Sequence, residues 1–378
     1  MADLPNDWPA IVASSVAGVL AGIFLGAVFH GSAPATPARS NAEQLPSAPR
    51  TATNRAKPAK PAGGTDARKR AAARSRRDMR ALSGALSKGA ADVQRKGLGT
   101  AELALMLDRD VTPLVRGAAP FEPVRVWSMI KPVTAVALLR ARKGQVGGLG
   151  RYLRGALLRS ENCAQRKLVL ELQRAQGGID QAKRALRDTL AAVGGNLVTR
   201  QAQISLDGRD CRVPGYDLLS AADAARPSLF AGTTDWRISD AARFAHGLRG
   251  ERVFGKNISD RILGLMRQPK LRSREPSADS RITAPLEWGA GTTFRALCWQ
   301  VAYKGGWGRN TTVPFTAGQL GTVELGNGRW AAFAVVFHPS KVPPDSDPGK
   351  ADAPAGLAVA LAPVKRKLQR QFPGACNE

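Results

Sequence analysis

Val126-Trp127-Ser128-Met129-Ile130-Lys131-Pro132-Val133-Thr134-Ala135-Val136-Ala137-Leu138-Leu139 is an apolar run with one serine and one lysine near its start. The pattern predicts a buried helix, with Pro132 tolerated because a proline in or next to the first turn forfeits no intrahelical hydrogen bond. Residues three apart share a helix face, so the Ser128 hydroxyl and the Lys131 amine can touch. A lysine that loses its proton in a dry cleft can take the proton of a serine hydroxyl. The helix N-terminus beneath the serine favours the negative charge that develops. The pair predicts a nucleophile beside its base, and the chemistry predicted is acyl transfer. No other Ser-x-x-Lys occurs in the chain. An N-cap serine and a surface lysine also fall at this spacing by accident, so the assignment needs support from other stretches.

Downstream, Leu153 to Leu170 reads as helix, polar break, helix, with Ser160-Glu161-Asn162 at the break. There the hydroxyl can relay a proton and the amide can bind a substrate backbone; the plainer reading makes Ser160 an N-cap. Further on, Ala296 to Lys304, Gln319 to Leu325 and Trp330 to Phe337 predict an antiparallel meander. A Gly326-Asn327-Gly328 turn joins the last two strands. The first strand is expected to end in Tyr303-Lys304-Gly305-Gly306-Trp307, with a cation and two glycines at its exit, where a ligand can approach the backbone closely. Upstream of Ser128, a helix from Arg68 carries Met79, Leu82, Leu86, Ala90 and Val93 on one face, followed by strands at Ala101 to Asp108 and Thr112 to Val115. Helices are also predicted over 178–193, Trp236 to Leu248 and Ile258 to Met266, with 195–234 rich in loops. A closing helix has Leu357, Leu361, Val364, Leu368 and Phe372 on one face.

The N-terminal part differs in kind. After a short flank at residues 1–9, Ala10 to Phe29 carries no charge and has the length of about 20 residues that a bilayer-spanning helix needs. Residues 30–65 are rich in proline and alanine and predict a semi-extended tether. The chain is therefore divided into flank, membrane anchor, linker and one domain over 66–378, with the domain expected outside the cytoplasm and the anchor as its contact with the membrane.

The net charge is +26, part of it concentrated between Arg68 and Arg80. Such a field attracts polyanions generally, whether nucleic acid, anionic lipid head groups or acidic wall polymers, and charge alone does not choose among them. No nucleic-acid-binding motif accompanies it, and nucleic acid is not an expected partner. Cys163, Cys211, Cys298 and Cys376 lack metal-site spacing; in an oxidising compartment they could form two disulfides in any of three pairings, or remain free thiols. His30, His246 and His338 form no cluster, so neither a metal nor a cofactor is expected.

Ser-x-x-Lys at a helix start, Ser-x-Asn between helices and Lys-x-Gly on a late strand resemble, in that order, the motif triple of the class A β-lactamases and D,D-peptidases. The resemblance covers roughly residues 78 to 372. It implies an α+β fold, an antiparallel sheet flanked by helices plus a mainly helical subdomain, preceded here by the transmembrane helix. Carried over by position, Ser128 resembles the acylated nucleophile, Lys131 its base, Ser160 the proton relay, Asn162 the substrate-amide contact and Lys304 the cation for the substrate carboxylate. Gly306 and Trp307 complete the substrate-binding strand, and the N–H groups of Ser128 and Trp307 match the oxyanion hole. The implied ligands are D-Ala-containing wall peptides or β-lactams.

Three departures bear on activity. Glu161 replaces the usual Asp, and Gly305 replaces the usual Thr or Ser, for which Arg309 and Thr311 are the candidate substitutes. No Glu lies between Glu171 and Glu251, so the glutamate that drives deacylation in the β-lactamases has no counterpart. The expected activity is that of an acyl-enzyme with slow or absent β-lactam turnover. The alternative is a catalytically degenerate wall-binding protein of the same fold.

Overall fold

The structure is a computed structural model that describes residues 64–199, 202–203, 212–213, 216–217, 228–229, 234–267, 289–295, 299–308, 315–341 and 352–373. The apolar run Ala10 to Phe29 and the proline-rich linker lie outside the described residues. Among the described residues no helix is long and apolar enough to cross a membrane. Residues 62–378 form one compact unit.

At its centre is a five-stranded antiparallel sheet built from β1 (Gly99–Leu107), β2 (Leu114–Gly117), β10 (Val301–Gly308), β11 (Thr316–Gly326) and β12 (Arg329–Pro339), in the order β10-β11-β12-β1-β2. Every residue of β1 from Ala101 to Leu107 is buried, because helices cover both faces of the sheet. One face presents Leu103, Leu105, Phe333, Val335 and Phe337 to α1 (Gly64–Arg95), α8 (Ala290–Arg295) and α9 (Ala353–Gln371). The other presents Ala104, Met106, Ala332, Ala334 and Val336 to the remaining helices. The alternation along β12 is between large and small side chains, and its alanine face lets α6 (Ile238–Arg249) lie close against the sheet.

The helical half comprises α2 (Ile130–Ala141), α3 (Gly150–Leu158), α4 (Asn162–Gln176), α5 (Ile179–Ala191), α6 and α7 (Lys256–Met266). A small sheet joins β3 (Pro123–Arg125), β4 (Val198–Thr199) and β9 (Thr234–Arg237). The two-residue strands β5 (Ala202–Gln203), β6 (Arg212–Val213), β7 (Tyr216–Asp217) and β8 (Ser228–Leu229) lie between β4 and β9 in the sequence.

Helices α1 and α9 run antiparallel, with Gln371 Nε2 donating to Asp78 O at 3.5 Å near one end. Gly89 faces Ala360 so closely that a Cβ there would sit 2.1 Å from the Ala360 carbonyl oxygen. Gly89→Ala must force the helices apart and is expected to cost about 1–3 kcal/mol of stability, read as a lowered denaturation midpoint.

Two elements depart from the sequence reading. The strand expected over Ala296 to Lys304 runs over Val301–Gly308, so Lys304, Gly305, Gly306 and Trp307 lie inside it rather than at its exit. Its glycines read as a strand end, yet Gly305, Gly306 and Gly308 pair with Gln319, Gly318 and Thr316 of β11. The helix expected from Trp236 begins at Ile238, because Trp236 and Arg237 pair with Val124 and Pro123 in β9 and β3.

Candidate active site

Ser128 is half-buried in a 3-10 turn, Trp127–Met129, that runs directly into α2. Trp127 holds φ at 47°, a left-handed conformation that costs a bulky residue on the order of 1–3 kcal/mol. Its surroundings hold it there. The Trp127 indole N–H donates to Thr316 Oγ1 at 2.8 Å, and its ring lies over Gly308, where a Cβ would fall 2.8 Å from ring carbons. A Cβ on Gly306 would lie 2.7 Å from Ser128 N, and one on Gly318 would lie 2.7 Å from Met129 Cε. Three glycines of β10 and β11 therefore form the seat for Trp127-Ser128-Met129. Sequence reasoning picked out Gly306 but missed Trp127, Gly308, Thr316 and Gly318; the Gly-x-Gly spacing across Gly306 and Gly308 was the available signal.

Helix α2 is buried on every side from Ile130 to Leu139, which carries Lys131 into the interior at 0% exposure. Lys131 Nζ donates to the Ser160 carbonyl oxygen, to Ser160 Oγ at 3.3 Å and to Asn162 Oδ1 at 2.8 Å. Lys304, buried on β10, donates through Nζ to Ser160 Oγ at 2.7 Å and to Gly305 O at 2.8 Å. Two amines thus converge on one hydroxyl. Burial pushes the Lys304 ammonium well below its ordinary value, and the neighbouring Lys131 charge lowers it further. Like charges this close favour a state in which one amine is neutral, the form a proton acceptor requires.

Ser160 occupies the break between α3 and α4 with φ at 57°, a second left-handed non-glycine residue at the site. Next to it, Glu161 is buried and ion-paired with Arg159, its Oε2 so close to Gly155 that a Cβ there would lie 2.3 Å away. The bare backbone of α3 makes room for a carboxylate one methylene longer than Asp. Cys163, one residue after Asn162, is disulfide-bonded; Cys211, Cys298 and Cys376 lie outside the described residues.

The structure thus brings Lys131, Ser160, Asn162 and Lys304 into one hydrogen-bonded cluster and seats Ser128 on Gly306 of the strand that carries Lys304. Trp307 follows on the same strand, its side chain turned toward the α1–α9 side of the sheet. His246 lies against the Trp330 ring with its Nε2 3.1 Å from Leu107 O, and His338 Nε2 lies 2.8 Å from Glu102 Oε2. Both serve the scaffold. Among the described residues no group of His, Cys, Asp and Glu could hold a metal ion.

No protein-family model and no curated protein matches the sequence. Among solved structures, the chain is similar to a class A β-lactamase from Bacteroides cellulosilyticus, at 14% identity and a TM-score of 0.50, over 76% of this chain and 99% of the other. The fold is that of the class A β-lactamases. A class A β-lactamase from Mycobacterium abscessus aligns at 14% identity over 76% of this chain and 100% of its own, with a TM-score of 0.48. A variant of PBP-A, as its acyl-enzyme complex with penicillin G, aligns at 15% identity over 76% and 97%, with a TM-score of 0.48.

Within this class A β-lactamase-like fold, adjacent glycines differ in what they tolerate. A Cβ at Gly305 would meet nothing nearer than Gln319 Cγ and Gly318 O, both at 3.7 Å. Gly305→Thr is expected to fold with a melting temperature at or above that of the parent, since threonine suits a strand better than glycine. Gly306→Ala must displace the Ser128 backbone and is expected to lower the melting temperature, in contrast to Gly305→Thr. Arg309 and Thr311, the sequence-level substitutes for the missing hydroxyl, lie outside the described residues.

Proposed function

We propose that the protein is a membrane-anchored, extracytoplasmic serine acyl-enzyme that reacts with D-Ala-containing wall peptides and with β-lactams, releasing the acyl group slowly. One observation carries the reading: Lys131 Nζ and Lys304 Nζ both reach Ser160 Oγ, at 3.3 and 2.7 Å, while Ser128 rests on the strand that bears Lys304.

In this reading the two-lysine cluster carries one proton; with that proton on Lys304, Lys131 takes the Ser128 Oγ proton as the oxygen attacks the substrate carbonyl carbon. The oxyanion forms between the Ser128 and Trp307 N–H groups. Collapse breaks the C–N bond, and the leaving nitrogen takes its proton from Ser160 Oγ, which Lys131 replenishes. An ester on Ser128 remains, and oxyanion donors of this kind contribute roughly 3 kcal/mol each. Asn162 and Lys304 hold the substrate amide and carboxylate. With no glutamate between Glu171 and Glu251, water activation is weak and the ester persists.

The disulfide at Cys163 supports the extracytoplasmic location, because such bonds persist in oxidising compartments. The apolar run Ala10 to Phe29 supports the anchor. The test is intact-mass analysis of the full chain in detergent after incubation with penicillin G. A stable gain of the drug's mass is expected. Absence of any adduct over hours would favour the wall-binding reading, for which Gly305 and the missing glutamate speak. That reading predicts retention on peptidoglycan that Ser128→Ala leaves unchanged.

A further inference from the structure

We propose that the basic end of the α1–α9 helix pair docks the domain on an anionic phospholipid surface. The inference rests on the proposed membrane tether and adds a second, reversible contact with the bilayer.

The antiparallel pairing of the two helices sets the geometry. Gln371 at the end of α9 meets Asp78 in α1, so Gly64–Arg77, about 20 Å of helix, continues past the end of α9. Between Gly64 and Arg80, seven lysines and arginines stand against Asp66 and Asp78. Helix α9 contributes Lys365, Arg366, Lys367 and Arg370, with no carboxylate anywhere along it. Both sets of charges fall at the same end of the pair. Arg77, Arg80, Arg366 and Arg370 are exposed and have no carboxylate partner among the described residues. The ion pairs of α1, Asp92 with Lys88 and Arg95, lie at its other end.

Two further features select a lipid surface. A groove of about 500 Å³ between α8 and α9 is lined by Lys365, Arg366, Thr292, Thr293 and Gln369 without a carboxylate, a donor set suited to a phosphodiester head group. The projecting turns of α1 contain no aromatic or large apolar residue, so they offer neither a base-stacking platform nor an inserting wedge. They are suited to lie on head groups by charge alone. Gly64, with which α1 begins, lies at this end. Because α1 and α9 cover the sheet face opposite the one that packs on α2, docking turns the Ser128 cleft away from the bilayer.

The experiment uses the full chain in vesicles of phosphatidylcholine, alone or mixed with phosphatidylglycerol. Flotation with the neutral vesicles tests the tether, and amide exchange of peptides covering 64–80 and 363–373 tests the docking. Exchange in both peptides is expected to slow by about tenfold in the anionic vesicles and to recover at salt on the order of 0.5 M. Arg77→Glu, Arg80→Glu, Arg366→Glu and Arg370→Glu combined should abolish the slowing while leaving the penicillin adduct intact. Equal exchange in the two vesicles would overturn the docking, as would slowing produced by polyphosphate or DNA on neutral vesicles but not by the anionic lipid. Failure to float with neutral vesicles would instead remove the tether.

Discussion

Ser128→Ala is expected to abolish the penicillin adduct and leave the fold as stable as the parent. The first half follows from chemistry, since the ester has no oxygen on which to form. Loss of a serine nucleophile typically costs about 10⁶-fold in rate, which puts any remaining reaction below detection in an acylation assay. The second half follows from packing. The Ser128 backbone passes so close to Gly306 that a Cβ there would lie 2.7 Å from Ser128 N, and alanine at 128 keeps that backbone. Intact mass and thermal unfolding of the two proteins, measured side by side, check both halves. An adduct of undiminished mass and rate on the alanine variant would assign the nucleophile elsewhere.

Lys131→Met is expected to slow acylation by about 10⁴-fold, the upper range for loss of a general base. Methionine nearly matches the volume of the buried chain but leaves the Ser160 carbonyl oxygen and Asn162 Oδ1 without this donor, so a loss of about 1–3 kcal/mol in stability is expected beside the kinetic effect. The pH dependence separates the base from a merely structural lysine. In the parent, the acylation rate should climb with pH as the two-lysine cluster sheds a proton, and the climb should vanish in Lys131→Met. Stability carries a matching signature for Lys304, whose folded-state pKa lies well below the ordinary 10.5. Between those two pKa values the unfolded chain binds one more proton than the folded one, so stability rises with pH, by up to about 1.4 kcal/mol per pH unit from this group. Below the folded pKa both states are protonated and the slope disappears. Denaturant unfolding across the alkaline range should show the rise, and Lys304→Met should flatten it.

The elements whose residues carry a strong local period were legible in the sequence. Leu82, Leu86 and Val93 on α1 and Leu357, Leu361, Val364 and Leu368 on α9 are all buried, and the break at Ser160 lies between two helices as read. Elements defined by distant partners were not. The strand β3 is three residues long and exists only because β9, more than a hundred residues later, pairs with it. The glycines of β10 looked like a strand exit because nothing local to them reveals that β11 continues the ladder beside them.

For the site, spacing alone put Ser128 and Lys131 on one helical turn, and order along the chain brought Ser160, Asn162 and Lys304 into the same argument. Those are local properties, read from a period and a motif. What only the tertiary structure decided is the environment of these groups. Lys131 and Lys304 come from a helix and a strand far apart in sequence, and burial of both against one hydroxyl is what strips Lys304 of its ordinary basicity. The strained Trp127 next to Ser128 is held by Thr316 and Gly308 of the sheet, contacts that no local pattern encodes. Side-chain identity sets which protons can move; the low dielectric and close contacts created by packing set which of them do.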